Sequence, residues 1–567
     1  MDSHARIAAV RNAMLQHGLD GYMLPVTDEY QGEYSADYAR RVTWLTGFDG
    51  SAGMVIILRD TAALLVDGRY VIQAAQEVDT SLYEVPGSAD ITLAAYLSSH
   101  KNSHTNVNMV IGYDPWLHTM HGIQQLTEKA PCSFTPLPHN LIDNLREDQP
   151  PRPNAPVTLH DIAYAGASQE EKIARVIAAI DAPALLLTEP DAICWLLNIR
   201  GGDIPYNPLP LCYALVQKDG QVYLIIQADK VADSLLPPFI HIIDDADIVE
   251  WLDTHPLESI QLDPRSCPVW FAQQCRQRCI TIHEAPNPVT ALKAIKNATE
   301  IEGIKRAHAI DGRAVTAFSR WLNALDDDQT ITELEIIDKL EYFRRQSPEY
   351  LQPSFATIAG AGAHGAIVHY RATEHTNRAL NAGEALLVDS GGQYRFGTTD
   401  ITRTFFRGTP NGAFKRHYTL VLKGHIALAE AIFPEGTTGH QLDALARQFL
   451  WREGLDYQHG TGHGVGHYLC VHEGPQGISA RANPTPLQPG MILSNEPGFY
   501  LEGQYGIRIE SLMLVIEKHN MHQTRYFGFD TLSRAPIDSS LIDASLMTPS
   551  EWRWLEEYHA KIEDTLI

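Results

Sequence analysis

Cysteine is scarce: 567 residues contain seven, at 132, 194, 212, 267, 275, 279 and 470, with no two in a C-x-x-C spacing. That odd, dispersed set argues against a disulfide framework or a thiolate zinc site and suits a reducing compartment. Long apolar runs are missing too. Nothing approaches the roughly 20 residues that span a bilayer. The opening MDSHARIAAVRNAMLQHGLDGYML lacks the apolar stretch of an export signal and reads as an amphipathic helix. Positive charge is short: 44 Lys and Arg against 69 Asp and Glu give a net −25. Such a surface repels nucleic acid and anionic lipid, so neither is an expected partner, and the cytoplasm is the expected location. No HExxH, GxSxG or P-loop occurs, which removes the main support for a zincin, a nucleophile-elbow hydrolase or a P-loop NTPase.

What is present is an ordinary globular mixture, 44% hydrophobic and 20% charged, in a chain too long for one core. Two proline-rich runs, QPPRPNAP at 149–156 and EAPNP at 284–288, read as linkers. They divide the chain into domains at 1–150, 157–284 and 289–567. The first two share a pattern. YMLPVTDEY, VTWLTGFDGSAGMVIIL and AALLVDGRY run parallel to ALLLTEPDA, ICWLLNIRGGD, LCYALV and QVYLIIQAD. In each, an apolar strand ends in Thr and acidic residues, then a Trp-Leu segment leads to Gly and further apolar strands. Both are expected to be α/β domains with a central sheet.

The third domain opens with a helix, capped by Asn297 and Glu300, whose apolar stripe is Ile301, Ile304, Ile310, Val315, Phe318 and Leu322. A second helix begins near Thr332, with Glu335 three residues on. Short β-like runs follow from Ser354: SFATIA, AIVHY, EALLVDSG and ITRTFF. One long helix is expected at about 412–433, then glycine-rich turns and strands, so the domain is α+β. Gly360 to Gly365 match G-x-G-x-x-G, but AIVHYR follows where a dinucleotide site needs a helix, so the glycines read as a turn between strands.

The chemistry-bearing feature of this domain is a dispersed set of acids and histidines. Asp389 ends the apolar run ALLV, two glycines follow, and Asp400 precedes ITRTFF. A strand, a glycine turn and a returning strand form a hairpin that sets two carboxylates side by side. HGTGHGVGH at 459–467 alternates glycine with imidazole, leaving room for close backbone approach; His472 and Glu473 follow. Glu496 follows an apolar strand. Glu510 reads as lying inside one, where it could pair with Arg508 as a surface bridge. Singly, each has a structural explanation. Together they make an oxygen-rich set suited to two divalent ions sharing carboxylates. Carboxylates with one imidazole favour Mn²⁺, with Zn²⁺, Co²⁺ or Fe²⁺ as alternatives.

These segments carry a family resemblance. VDSGGQYRFGTTDITRTF, HGTGHGVGHYLCVHEGP, SNEPGFY and YGIRIES resemble the metal-binding motifs of the peptidases with the pita-bread fold. TGFDGSAG, VDGRYVIQAA, NIRGGD and SFATIAGAGAHGAIVHY resemble the three-domain cytosolic aminopeptidase P branch. The similarity runs to about residue 545. It implies a C-terminal pita-bread domain preceded by two similar creatinase-like α/β domains with mixed sheets. It implies metal ligands at Asp389, Asp400, His463, Glu496 and Glu510, and substrate-side histidines at His369, His459 and His472. Arg508 matches an arginine supporting the last ligand, and Tyr500 a tyrosine near the proline pocket. Two departures lie off the ligand positions: SNEPG stands where many relatives have Thr-Asp before the Glu, and His467 where Ser is usual.

The implied activity is release of the residue before a proline at a peptide N-terminus, by a hydroxide shared between two metal ions. Glu496 would be both ligand and base, and His472 would donate to the developing oxyanion. A homodimer is expected by the same likeness. Two other readings remain. A prolidase-like dipeptidase would need a cationic cradle for its product carboxylate. An inactive pita-bread binding module would have lost ligands, whereas all five matching positions are filled.

Overall fold

The computed structural model describes residues 1–86, 91–100, 109–326, 329–521 and 524–566. The chain divides into two compact units, residues 1–159 with 167–289, and residues 160–166 with 290–567.

The first unit holds two sheets of matching design. In one, Gly21–Pro25 is central, with Met54–Leu58 and then Ala62–Leu65 antiparallel on one side. Met109–Tyr113 and Cys132–Pro136 run parallel on the other. In the second, Ala184–Leu187 is central, with Tyr213–Gln217 and Val222–Ile225 antiparallel on one side. Ser259–Leu262 and Thr281–Glu284 run parallel on the other, and Ile240–Ile243 adds an edge strand. The central strands are buried at every position, which is why they read as unbroken apolar runs. Both Trp-Leu segments are short helices, Arg41–Thr46 and Pro190–Leu196. In each, a cation from the preceding helix lies over the indole, Arg6 at 4.7 Å from Trp44 and Lys172 at 4.4 Å from Trp195. The same cation donates to that tryptophan's carbonyl.

The two halves exchange backbone hydrogen bonds with two-fold regularity. Met120 N–H donates to Cys267 (3.0 Å) and Val269 N–H to His118 (2.9 Å). His121 donates to Pro264 (2.8 Å) and Trp270 to Pro115 (3.0 Å). A repeat visible as a sequence pattern is thus also a repeat in topology and in contacts. A cavity of about 550 Å³ lined by Tyr30, Tyr38, Trp116 and Tyr213 receives the first proline-rich linker. Arg152 of that linker reaches Asp245 (2.7 Å) and the Tyr30 hydroxyl (2.9 Å).

The second unit repeats a helix pair on a sheet. Helix Ala298–Asn323 starts at the Asn297–Glu300 capping box and helix Glu333–Arg344 at Thr332–Glu335. Val315, Phe318, Leu322, Ile336 and Leu340 pack on Leu386, Val388, Ile401 and Phe405. Those last four lie on the sheet formed by Ile358–Ala361, Ala385–Ser390 and Ile401–Phe406. Truncating a side chain as buried as Phe318 typically costs about 3–5 kcal/mol, so this packing fixes the sheet that carries Asp389 and Asp400. The second helix pair, Gly412–Ala429 and Gly439–Trp451, covers a six-stranded sheet that includes Gly462–Gly464, Glu473–Ile478, Ile492–Asn495 and Ser511–Met521.

Three local expectations change. The helix expected to reach 433 stops at Ala429, and Ile432–Pro434 is an edge strand, the place in a sheet that accepts proline. Helix Gly439–Trp451, hidden among glycines, starts at a Thr438–Gln441 capping box. AIVHY is no strand: the chain turns at Gly362, whose φ is +53°, into a 3₁₀ turn, Gly362–Ala366. The glycine motif there is a chain reversal rather than the start of an α-helix.

Candidate metal centre

Asp389 lies near the end of strand Ala385–Ser390, opposite Thr402 in antiparallel register, and Asp400 directly precedes the returning strand Ile401–Phe406. The connection is longer than a glycine turn. It forms its own ribbon, Gly392–Tyr394 with Gly397–Thr398, paired to Tyr350–Pro353. Gly391 stands at the neck, where a Cβ would collide with the Thr399 carbonyl and the Ser354 hydroxyl. The ribbon rejoins so closely that the two acids return as neighbours.

His463 is the middle residue of Gly462–Gly464, whose flanking glycines admit the backbones of Ser494 and Glu473. Its Nδ1 faces the Gly464 carbonyl (2.9 Å), which leaves Nε2 toward the acids. Nε2 is 3.4 Å from Asp400 Oδ2 and 3.4 Å from Glu496 Oε1. Glu510 sits not within a strand but at a break between Tyr505–Arg508 and Ser511–Met521, where the chain leaves one ribbon for another. Its N–H donates to Thr402 C=O (3.1 Å), and the Thr402 hydroxyl donates to its carboxylate (2.7 Å). Ligand atoms of Asp400, His463 and Glu510 lie within 4.8 Å of one another.

Arg508 and Glu510 do not form a surface bridge; both are buried. Arg508 pairs with Asp389 (2.7 Å) and reaches Glu510 through Thr402, whose hydroxyl accepts from Arg508 Nε (3.2 Å). It also donates to the Tyr500 hydroxyl (2.6 Å), which meets His459 Nε2 (2.9 Å). His459 Nδ1 lies 3.9 Å from Glu496. The rings of His472 and His463 are 4.3 Å apart and nearly perpendicular, at 83°. His369 is half-buried in the turn after the 3₁₀ segment, and its neighbour Val368 accepts from Arg508 (3.4 Å). His467, at the departure from the family pattern, is buried with its ring 5.7 Å from His160.

The electrostatics are those of a site short of positive charge. Burial, then the charges of Asp400 and Glu496, push the Asp389 carboxyl up to about 6 against the pull of Arg508. Burial, with Asp400, Asp389 and Glu496, pushes Glu510 well above the carboxylate range. Burial disfavours charge on His463, but Asp400 and Glu496 outweigh it and lift its pKa to about 9. Asp389 Oδ1 is buried without a hydrogen-bond partner. Clustered carboxylates that raise one another's pKa, with an orphaned oxygen among them, fit divalent cations.

Three supporting residues, Thr402, Lys293 and Lys296, gave no signal in the sequence. Thr402 joins Arg508 to Glu510. Lys293 (2.7 Å) and Lys296 (2.5 Å) pair with buried Glu473, next to His472. Their spacing in the chain follows no local pattern.

A doubled helix-pair-on-sheet domain bearing this cluster defines a metal-dependent hydrolase of the pita-bread class. The chain belongs to metallopeptidase family M24. The family model matches residues 302–517, with the C-terminal region of the family at 525–567. Creatinase/prolidase N-terminal domains match at 6–147 and 148–300. The chain is 39% identical to a probable Xaa-Pro aminopeptidase P of Laccaria bicolor, over 99% of this chain and 90% of that one. A protein of the same name from Tuber melanosporum is 37% identical, over 99% and 96%. The crystal structure of Caenorhabditis elegans X-prolyl aminopeptidase, a cytosolic enzyme with a di-nuclear active site, superposes with a TM-score of 0.92. It is 33% identical and covers 100% of this chain and 96% of that one.

Proposed function

We propose that this protein is a metal-dependent aminopeptidase that releases the N-terminal residue from peptides with proline in second position. The observation that carries the reading is the cluster of Asp400, His463 and Glu510, with Glu496 at 3.4 Å from the same imidazole and a buried, partnerless Asp389 oxygen in the field of Asp400 and Glu496. The names and full-length similarity of the relatives support the same activity. Asp389, Asp400, His463, Glu496 and Glu510 would hold two divalent ions, and a mostly carboxylate set favours Mn²⁺. When bound, such ions lower the pKa of water and polarise the scissile carbonyl.

The chain's own residues do the rest. Glu496 takes the proton of the attacking water and passes it to the departing proline nitrogen. His472 donates to the carbonyl oxygen as charge develops there. His459, Tyr500 and Arg508, linked by hydrogen bonds, form a fixed edge for the proline ring, and His369 lines the substrate side. The bond before proline has no N–H for an extended-backbone protease to grip, so a shaped pocket must supply selectivity. The negative cluster also attracts a free α-amino group, which suits an exopeptidase. The enzyme would work as a homodimer in the cytoplasm, a reducing compartment that suits its seven dispersed cysteines.

Chelation followed by metal return tests this reading on Xaa-Pro-Xaa tripeptides. Turnover should vanish on chelation and return best with Mn²⁺, while Xaa-Ala-Xaa peptides stay uncut. Full activity in metal-free protein would refute it.

A further inference from the structure

Asp389 and Asp400 face the centre, but the residues beside them, Ser390 and Thr399, face away into a buried polar knot. At its heart is an ion pair between Asp311, on helix Ala298–Asn323, and Arg344, the last residue of helix Glu333–Arg344. Both side chains are almost wholly buried. Arg344 donates to Asp311 from Nε (2.7 Å) and from its second arm (3.1 Å), and that arm also donates to Ser390 Oγ (3.0 Å). Asp311 accepts in turn from the Thr399 hydroxyl (3.0 Å) and from Tyr394 (3.1 Å), which lies in the ribbon between the acids. Thr399 Oγ1 accepts from Gly392 N–H (2.8 Å), closing the neck. Burial raises the Asp311 pKa, but the guanidinium outweighs it and holds the carboxyl below its usual range, so the pair stays charged.

We propose that Asp311 and Arg344 are positioning residues that set the separation of Asp389 and Asp400, and with it the capacity of the site to hold two ions together. One rigid ion pair grips Ser390 with its cation and Thr399 with its anion. Each of those residues is covalently next to one carboxylate. Because the pair spans two helices that pack on the same sheet, drift of either helix would shift the two acids relative to each other. The fork geometry of arginine matters here: one planar group binds a carboxylate and a hydroxyl at once, which lysine does not reproduce.

This inference rests on the dinuclear reading above, and the test separates the two. S390A with T399V removes both hydroxyls while leaving the ion pair intact. S390A alone guards against loss of the fold, and T399S, which keeps the hydroxyl, is the control. Calorimetric titration of metal-free protein with Mn²⁺ and melting in chelator are measured on each. The double variant should bind the second Mn²⁺ about tenfold more weakly than wild type, the lower end of the range for residues that orient ligands. S390A should show part of that loss, and T399S should match wild type. Unchanged Mn²⁺ affinity in S390A and the double variant, with or without a lower metal-free melting temperature, would overturn the positioning role and leave the knot as fold support only. A wild type that takes a single Mn²⁺ would overturn the dinuclear reading. The affinity of that one ion would then decide the clamp, since the double variant must still weaken it.

Discussion

Of the residues proposed for the centre, His472 offers the sharpest test of catalysis apart from metal binding. Its ring lies against the proposed ligand His463 at 4.3 Å, yet it stands outside the set that would hold the ions. A donor to the developing oxyanion stabilises the transition state more than the bound peptide. His472→Ala should therefore lower turnover by about 10²–10³ with little change in KM. Both ions should remain. If His472 only supports the glycine-rich turn, the variant loses stability or metal, but its folded fraction keeps its turnover per site. Metal content, melting temperature and steady-state kinetics on one sample distinguish the two outcomes. At this scale the sequence was informative where residue type itself carries chemistry. Acids at the ends of apolar strands and imidazoles between glycines could be picked out singly. Partners were not legible: the bonds from Arg508 to Asp389 and through Thr402 to Glu510 join residues more than a hundred positions apart.

The ribbon between Asp389 and Asp400 shows how an element positions a site. Its sequence reads as a hairpin with a glycine turn, and the acids do arrive side by side, Asp389 within one strand and Asp400 immediately before its antiparallel neighbour. The neck depends on Gly391, where the Thr399 carbonyl and the Ser354 hydroxyl leave no space for a methyl group. Gly391→Ala must push those strands apart. Overpacking of this kind costs about 1–3 kcal/mol. The variant should melt lower even without metal, and metal analysis should find fewer ions per chain than in wild type. A Gly391→Ala protein with wild-type stability and full metal content would show that the neck tolerates widening. Several elements with strong local signals were read correctly, among them the helices capped at Asn297 and Thr332 and the apolar strands, although the capped helix Gly439–Trp451 was missed. Those decided by pairing were not. Ile432–Pro434 looks like the end of a helix until an edge position accepts its proline, and AIVHY has strand composition but no strand to pair with.

Across the whole molecule, about half the chain lies outside the unit that carries the cluster. Two sheets of matching order, joined with near two-fold regularity, make up that half, and assembly is the use we assign to their mass. Sedimentation at micromolar concentration should give about twice the 63.1 kDa chain mass, and a purely monomeric species would count against the dimer. The sequence by itself determined the fold class, the repeat within the first unit, the candidate residues and their family. These rest on periodicity, residue chemistry and motifs, all of which survive in a linear string. Only the tertiary structure decided which acid Arg508 neutralises, that Glu510 sits at a break between strands, and how Asp311 and Arg344 stand behind the two carboxylates. Those relations are set by which surfaces pack together, because a hydrogen bond or ion pair depends on ångström-scale distance and not on separation along the chain.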